Sequence, residues 1–209
     1  MSGARGSSVV GRHRLFVGAL VLLGAVYVQS GPVLAADLVP PPPPDARCSA
    51  GPAGTVCFFS RTLSFDNDPL FGFDGAPMMC GSSQLVESGD IFLDVKRTYN
   101  VDGLLTRIQR HFNGPRNTFT IGNPGTGSTL PNPGHWTETY DLTEPGSFPP
   151  VAVLTVTGNF FSITAPGNGA VFFDVGRIQF SQDGDVQFEA GPKVFFDTQS
   201  LASLCAALA

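Results

Sequence analysis

IFLDVKRTYNVDGLLTRIQRHF, residues 91–112, alternates apolar and polar side chains on either side of Asp102-Gly103. Asp-Gly suits a two-residue type I′ turn, and period-two alternation is the signature of a half-buried strand. A turn centred there pairs Val101 with Leu104, Tyr99 with Thr106, Arg97 with Ile108, Val95 with Arg110 and Leu93 with Phe112. That face is mainly apolar. The opposite face pairs Asp94 with His111, Lys96 with Gln109 and Thr98 with Arg107, so one register separates core from solvent, and a slip by one residue would invert both faces.

The same alternation recurs downstream. Asn117 to Ile121 reads as a short strand, followed by a long loop, GNPGTGSTLPNPG (122–134). The spacing of Gly122 and Gly127-Ser128-Thr129 imitates a phosphate-binding loop, but the lysine is missing and no helical pattern follows. Trp136, Glu138, Tyr140 and Leu142 alternate with His135, Thr137, Thr139 and Asp141, and Val151 to Thr157 and Asn159 to Thr164 are further strands. In AVFFDVGRIQFSQDGDVQFEAGPKVFFD (170–197) the parity changes. A β-bulge at Gly176 would turn Val171, Phe173, Val175, Ile178 and Phe180 inward and Asp174, Arg177 and Gln179 outward. After Asp183-Gly184, Val186, Phe188 and Ala190 take the inner parity. Asp197 can cap a short helix whose Leu201, Leu204, Cys205 and Leu208 share a stripe.

Strands every ten or so residues without an intervening long helix predict an all-β antiparallel meander. Phe doublets at 58/59, 160/161, 172/173 and 195/196 put apolar bulk on both faces of their strands. A closed or nearly closed barrel with a short C-terminal helix is expected ahead of a two-sheet sandwich.

Upstream, Arg5, Arg12 and Arg14 precede an apolar run, Leu15 to Val28, which is followed by Gln29-Ser30-Gly31-Pro32 and the small residues Val33-Leu34-Ala35-Ala36. This is the layout of a signal peptide over residues 1–35, cut after Ala35 or Ala36. The alternative is a retained anchor, disfavoured because the run is shorter than the ~18 residues of a span. Residues 36–47, with five consecutive prolines from Pro40 to Pro44, read as a polyproline spacer. Residues 48–209 form one β domain: an irregular, disulfide-clamped cap over 48–90, a meander over 91–197 and a helix over 198–208. Such a chain is secreted or cell-surface, with no stable membrane span once the leader is removed.

All four cysteines, at 48, 57, 80 and 205, lie in the exported part. An even number in an oxidising compartment reads as two bridges, with three connectivities open. Cys48 with Cys57, closing a short loop, and Cys80 with Cys205, joining the start of the domain to its end, are the expected pairs. No Cys-x-x-Cys pair or His cluster suggests a metal, and no cofactor motif is present. The exported part carries nine basic and 17 acidic residues, a net charge of −8, which disfavours nucleic acid as a partner.

One polar constellation stands out. Arg97 and Arg110 are diagonal neighbours on the apolar face of the first hairpin, and Glu138 lies between Trp136 and Tyr140 on the apolar parity of its own strand. Buried cations need partners. Glu138 either neutralises one arginine within a structural network, or the pair faces a cavity for an apolar ligand with an anionic head. In the second case Tyr99 and Trp136 would hold its tail.

Gly176-Arg177-Ile178-Gln179-Phe180, then Asp183-Gly184-Asp185-Val186-Gln187-Phe188-Glu189-Ala190-Gly191-Pro192, and the ending Leu204-Cys205-Ala206-Ala207-Leu208 resemble small exported β-rich actinobacterial proteins of unknown function. The similarity reaches back through Tyr99-Asn100-Val101-Asp102-Gly103 and spans about residues 80–209; the Cys48 to Cys57 region departs from it. The resemblance implies the same domain and location, supports the bridge from Cys80 to Cys205, and implies no activity.

Three function classes follow. An exported structural or protein-interaction module suits a Phe-rich, acidic β domain. A carrier of a small apolar ligand suits a barrel of this size. A hydrolase is the least supported, because no catalytic residues can be named. The histidines beyond the leader, His111 and His135, fall on polar parities with no nucleophile motif beside them.

Overall fold

The computed structural model describes residues 37–72, 75–167, 169–192 and 198–209; the expected signal peptide, the Phe195-Phe196 doublet and the Asp197 cap lie outside the described residues. The described chain contains β1 (Arg47–Gly51), β2 (Gly54–Pro69), β3 (Met79–Cys80), β4 (Ser83–Gln84) and β5 (Val86–Tyr99). There follow β6 (Leu105–Phe112), β7 (Thr120–Asn123), β8 (Ser128–Pro131), β9 (His135–Leu142), β10 (Ala152–Ala165), β11 (Gly169–Phe180), β12 (Val186–Ala190) and α1 (Thr198–Ala207).

One antiparallel sheet runs in the order β1-β2-β5-β6-β9-β10-β11-β12, with β7 and β8 branching from the start of β5, and β3 and β4 form a separate ribbon. No ladder joins β1 to β12 among the described residues, so the sheet is open and the expected closed barrel is not found. Nor do the strands divide into the two comparable sheets of a sandwich. The protein is all-β and antiparallel with one short C-terminal helix.

The β5–β6 register follows the alternation from Leu93 opposite Phe112 to Thr98 opposite Arg107. It changes at the turn, where Tyr99 lies opposite Leu105 and Thr106 becomes an extra residue. Asn100 is the cause. Its Oδ1 accepts from the backbone N–H groups of Asp102 and Leu104 at 3.1 and 2.9 Å, building a wider turn than Asp102-Gly103 alone would make.

Residues 54–69, placed in an irregular cap by the sequence, are β2, a 16-residue strand paired with β5 along almost its whole length. Gly, Asp and Asn obscure its alternation. The loop expected at 122–134 contains the β7–β8 hairpin, in which the side-chain oxygen of Asn123 accepts from Gly125 N–H at 3.0 Å and its amide donates to the Leu208 carbonyl at 3.4 Å. These groups close the turn onto the C-terminal helix. Leu204 and Leu208 are fully buried there, and Leu201 packs beside them. The bridges are Cys48–Cys57 and Cys80–Cys205, the second tying the β3–β4 ribbon to α1.

The expected bulge at Gly176 is absent. Strict alternation passes through it, burying Phe172, Asp174, Ile178 and Phe180 and leaving Phe173 38% exposed, so Phe173 and Asp174 exchange their expected faces. Gly176 lies opposite Gly158, with φ of +144° and +129°, and a Cβ at Gly176 would stand 2.0 Å from the Ala190 carbonyl oxygen. Glycine admits this close approach without an inserted residue. The register shifts of this pair lie to one side of it instead, between Asn159 and Phe161 and between Ile163 and Thr164. β12 is an exposed edge strand, so Val186 and Phe188 do not enter the core. Phe58 is likewise exposed, so the 58/59 and 172/173 doublets are not covered on both faces, whereas Phe160 is buried and Phe161 packs against the core.

Asp37 to Ala46 lie against the sheet. Val39 N–H donates to the Gly103 carbonyl at 2.8 Å and the Val39 carbonyl accepts from Leu105 N–H at 2.9 Å. Leu38 is buried, and the Pro40 carbonyl accepts from the Tyr99 hydroxyl at 3.0 Å. The segment read as a spacer is a strap bound to the domain.

Candidate functional site

The inner face of the sheet is written in rows by its register. Phe59, Val95, Arg110, Glu138, Val156 and Ile178 lie side by side across six strands, and Arg61, Leu93, Phe112 and Trp136 form the next row. Facing Phe112 with Trp136 across β6 and β9 lets their rings stack, with centroids 4.1 Å apart and planes 10° off parallel. The β5 parity that turns Ile91, Leu93 and Val95 inward also carries Glu87.

Along β9, Trp136, Glu138 and Tyr140 share the inner face. The Glu138 carboxylate accepts from Trp136 Nε1 at 3.3 Å and from the Tyr140 hydroxyl at 2.9 Å, and Arg110 Nη1 lies 3.5 Å from its Oε2. Arg110 also donates to the Tyr140 oxygen at 3.3 Å, with its guanidinium over the Tyr140 ring. Burial, reinforced by the Glu138 charge, pushes the Tyr140 phenol well above its ordinary value. Glu138 thus neutralises Arg110 within a closed network.

Arg97 and Tyr99 stand apart from this network. Arg97 is held between the rings of Phe59 and Phe148 and donates to the Pro41 carbonyl at 3.3 Å. Burial raises the Tyr99 phenol, whose hydroxyl is spent on Pro40. These two residues fasten the strap and do not line the cavity described next. The expected triad of Arg97, Arg110 and Glu138 therefore reduces to Arg110 and Glu138.

That cavity, of about 320 Å³, lies on the inner face beside this network. Leu63, Phe65 and Ile91 form one wall, and the stacked Phe112 and Trp136 with Val156 and Phe160 form the other. Phe119, packed edge-on to Phe65 at 5.6 Å, Leu70 and Phe71 complete it. Asn132 pins the rear: its amide donates to the Phe160 carbonyl at 3.3 Å, and its oxygen accepts from Ser162 and Gly134 N–H at 3.1 and 3.3 Å. The Phe160 carbonyl and Ser162 N–H lie at the irregularity in β10, where the ladder to β11 is interrupted and a side chain takes its place.

Among the described residues three ionisable side chains reach the cavity: Arg110, Glu138 and Glu87. Glu87 lies opposite Asp68 of β2, and burial followed by the Asp68 charge pushes its carboxyl up to about 7. The sequence reading missed Glu87 by starting the strand at residue 91; extending the parity back through Gly89 would have placed it inside. The gathering of Phe65, Phe119 and Phe160 into one wall was also missed, because Phe65 fell in the expected cap and the short strands read around Phe119 and Phe160 carry no signal of their meeting it.

A larger hollow of about 660 Å³ lies over β1, β2, β5 and β6, where Phe58, Lys96, Asp94 and His111 meet. His111 Nδ1 is 3.0 Å from the Thr137 hydroxyl, and His135 is exposed. Among the described residues neither histidine forms an ion pair, and no group of three His, Cys, Asp or Glu side chains converges as metal ligands would. The inner cavity is the better candidate because its lining is mainly apolar and aromatic and its acid is perturbed. Comparison with protein-family models, curated proteins and solved structures finds no match to this chain.

Proposed function

We propose that this protein is an exported binding protein that holds one small, mostly apolar molecule in the cavity between β2, β5, β6, β9 and β10. The observation that carries the reading is the cavity itself, walled by Phe65, Phe112, Phe119, Trp136 and Phe160, with the ionisable groups of Glu87, Arg110 and Glu138 to orient a guest. Its volume is at the lower end of the ~300–1,000 Å³ typical of small-molecule sites. An anionic head has little support. Arg110 is already matched by Glu138, and Arg97 is engaged by the strap. Two disulfides fit an extracytoplasmic setting, among the described residues no helix is long and apolar enough to cross a membrane, and the exported actinobacterial proteins it resembles suggest the same compartment.

Native mass spectrometry of the protein recovered from its own secretions tests the reading. A co-purifying small molecule, lost when Leu63→Phe fills the rim, is the expected result. An empty protein that binds no apolar probe at high concentration would overturn it.

A second reading, a structural or protein-interaction module at the cell surface, draws on β12. This edge strand is exposed along its whole length, with Val186 49% and Phe188 46% exposed, and an exposed edge strand is a template for another strand. Cross-linking on intact cells would test it. Recovery of the protein without any cross-linked neighbour would count against it.

A further inference from the structure

Glu87 differs from every other charged group at the cavity. Arg110 has Glu138, and Glu138 has Arg110, Tyr140 and Trp136. The Glu87 carboxyl makes no hydrogen bond or ion pair among the described residues, and its register neighbour on β2, Asp68, is another acid. Among the described residues that line the cavity, two carboxyls, Glu87 and Glu138, stand with one guanidinium, that of Arg110, and Asp68 lies opposite Glu87 outside it.

We propose that the ligand is an organic cation, an apolar skeleton bearing a protonated amine, with Glu87 as its counter-ion and the cavity aromatics around it. The inference rests on the cavity reading above and adds the charge of the guest. A carboxylate guest would bring a negative charge into a site with an excess of acids. A neutral guest would strip water from Glu87 and leave its charge unmatched, which is costly in an apolar enclosure. An ammonium supplies the missing counter-charge, and ring faces such as those of the Phe112–Trp136 stack attract it through their quadrupoles. Burial and the Asp68 charge push the Glu87 carboxyl up to about 7; an ammonium beside it favours the carboxylate and lowers that value.

Trp136, the only tryptophan of the chain, lines the cavity and reports binding by its fluorescence. Three probes of one shape separate the alternatives: phenethylamine, phenethyl alcohol and 3-phenylpropanoate, titrated near pH 8 into the wild type and Glu87→Gln. The amine should bind the wild type at least about tenfold more tightly than the alcohol, and the acid most weakly. Glu87→Gln should bring the amine to the level of the alcohol, and the alcohol should bind the variant no more weakly than it binds the wild type. In the wild type, without any substitution, amine affinity should fall as Glu87 is protonated between pH 7 and pH 5, while alcohol affinity does not fall. An amine no better than the alcohol, a preference that survives Glu87→Gln, or a preference for the acid overturns the inference and leaves the cavity reading standing. Binding of neither amine nor alcohol removes the cavity reading itself.

Discussion

Replacing Glu87 by Gln should stabilise the protein at alkaline pH and do nothing to it at acid pH. The folded state holds the Glu87 proton up to about 7, whereas an unfolded chain releases it near 4.5. Below 4.5 both states are protonated and the carboxyl carries no penalty. From 4.5 to 7 the folded state binds more protons than the unfolded state, so stability falls as pH rises; above 7 the full penalty remains. The interval is 2.5 pH units, equivalent to ~3.4 kcal/mol at 1.36 kcal/mol per unit, before screening. The carboxyl is only partly buried, and water reduces this to ~1–2 kcal/mol. Gln keeps the shape, removes the charge, and forfeits no hydrogen bond that Glu87 makes to a described residue. Urea unfolding of both proteins at pH 4 and pH 8 measures the effect as a difference in midpoint at constant slope. The expected result is coincident curves at pH 4 and a variant more stable by ~1–2 kcal/mol at pH 8. A gain of equal size at both pH values, or a loss at pH 8, would refute the claim that Glu87 is an unmatched, desolvated acid.

Other perturbations probe the frame around the cavity. Removing the Cys80–Cys205 bridge, which closes a loop of 125 residues, should cost ~4–5 kcal/mol, whereas Cys48–Cys57, separated by nine, should cost ~2–3 kcal/mol; chemical denaturation of the paired serine variants ranks them. Asn132→Ala strands two backbone N–H groups and the Phe160 carbonyl and should cost ~2–4 kcal/mol, with faster amide exchange at Ser162 and Gly134. Gly176→Ala puts a Cβ against the Ala190 carbonyl at a backbone angle only glycine adopts easily, so β12 should detach; early loss of amide protection at β12 ahead of the other strands would show it.

Local chemistry in the sequence determined the all-β class, the pairing of Leu93 to Thr98 with Arg107 to Phe112, the stripe of α1, and the inward turn of Trp136, Glu138 and Tyr140. Each depends on a period of two or 3.6 residues, and such a period survives whatever else packs against the strand. Glu87 was legible by the same rule, had the β5 alternation been followed back past Gly89. Other features depend on partners far along the chain. Arg97 shares the inward parity of Val95, but its neighbours Phe59, Phe148 and Pro41 are brought to it by the sheet and the strap, and these decide that it fastens the strap instead of meeting Glu138. Gly176 kept strict alternation where a bulge was expected because Gly158 stands opposite it and the Ala190 carbonyl closes in, a crowding visible only once β10, β11 and β12 are side by side. Closure or opening of the sheet, and the gathering of Phe65, Phe119 and Phe160 around one cavity, are likewise properties of the assembled fold. Alternation assigns each side chain to a face; tertiary packing then decides which distant faces meet and where a space remains between them.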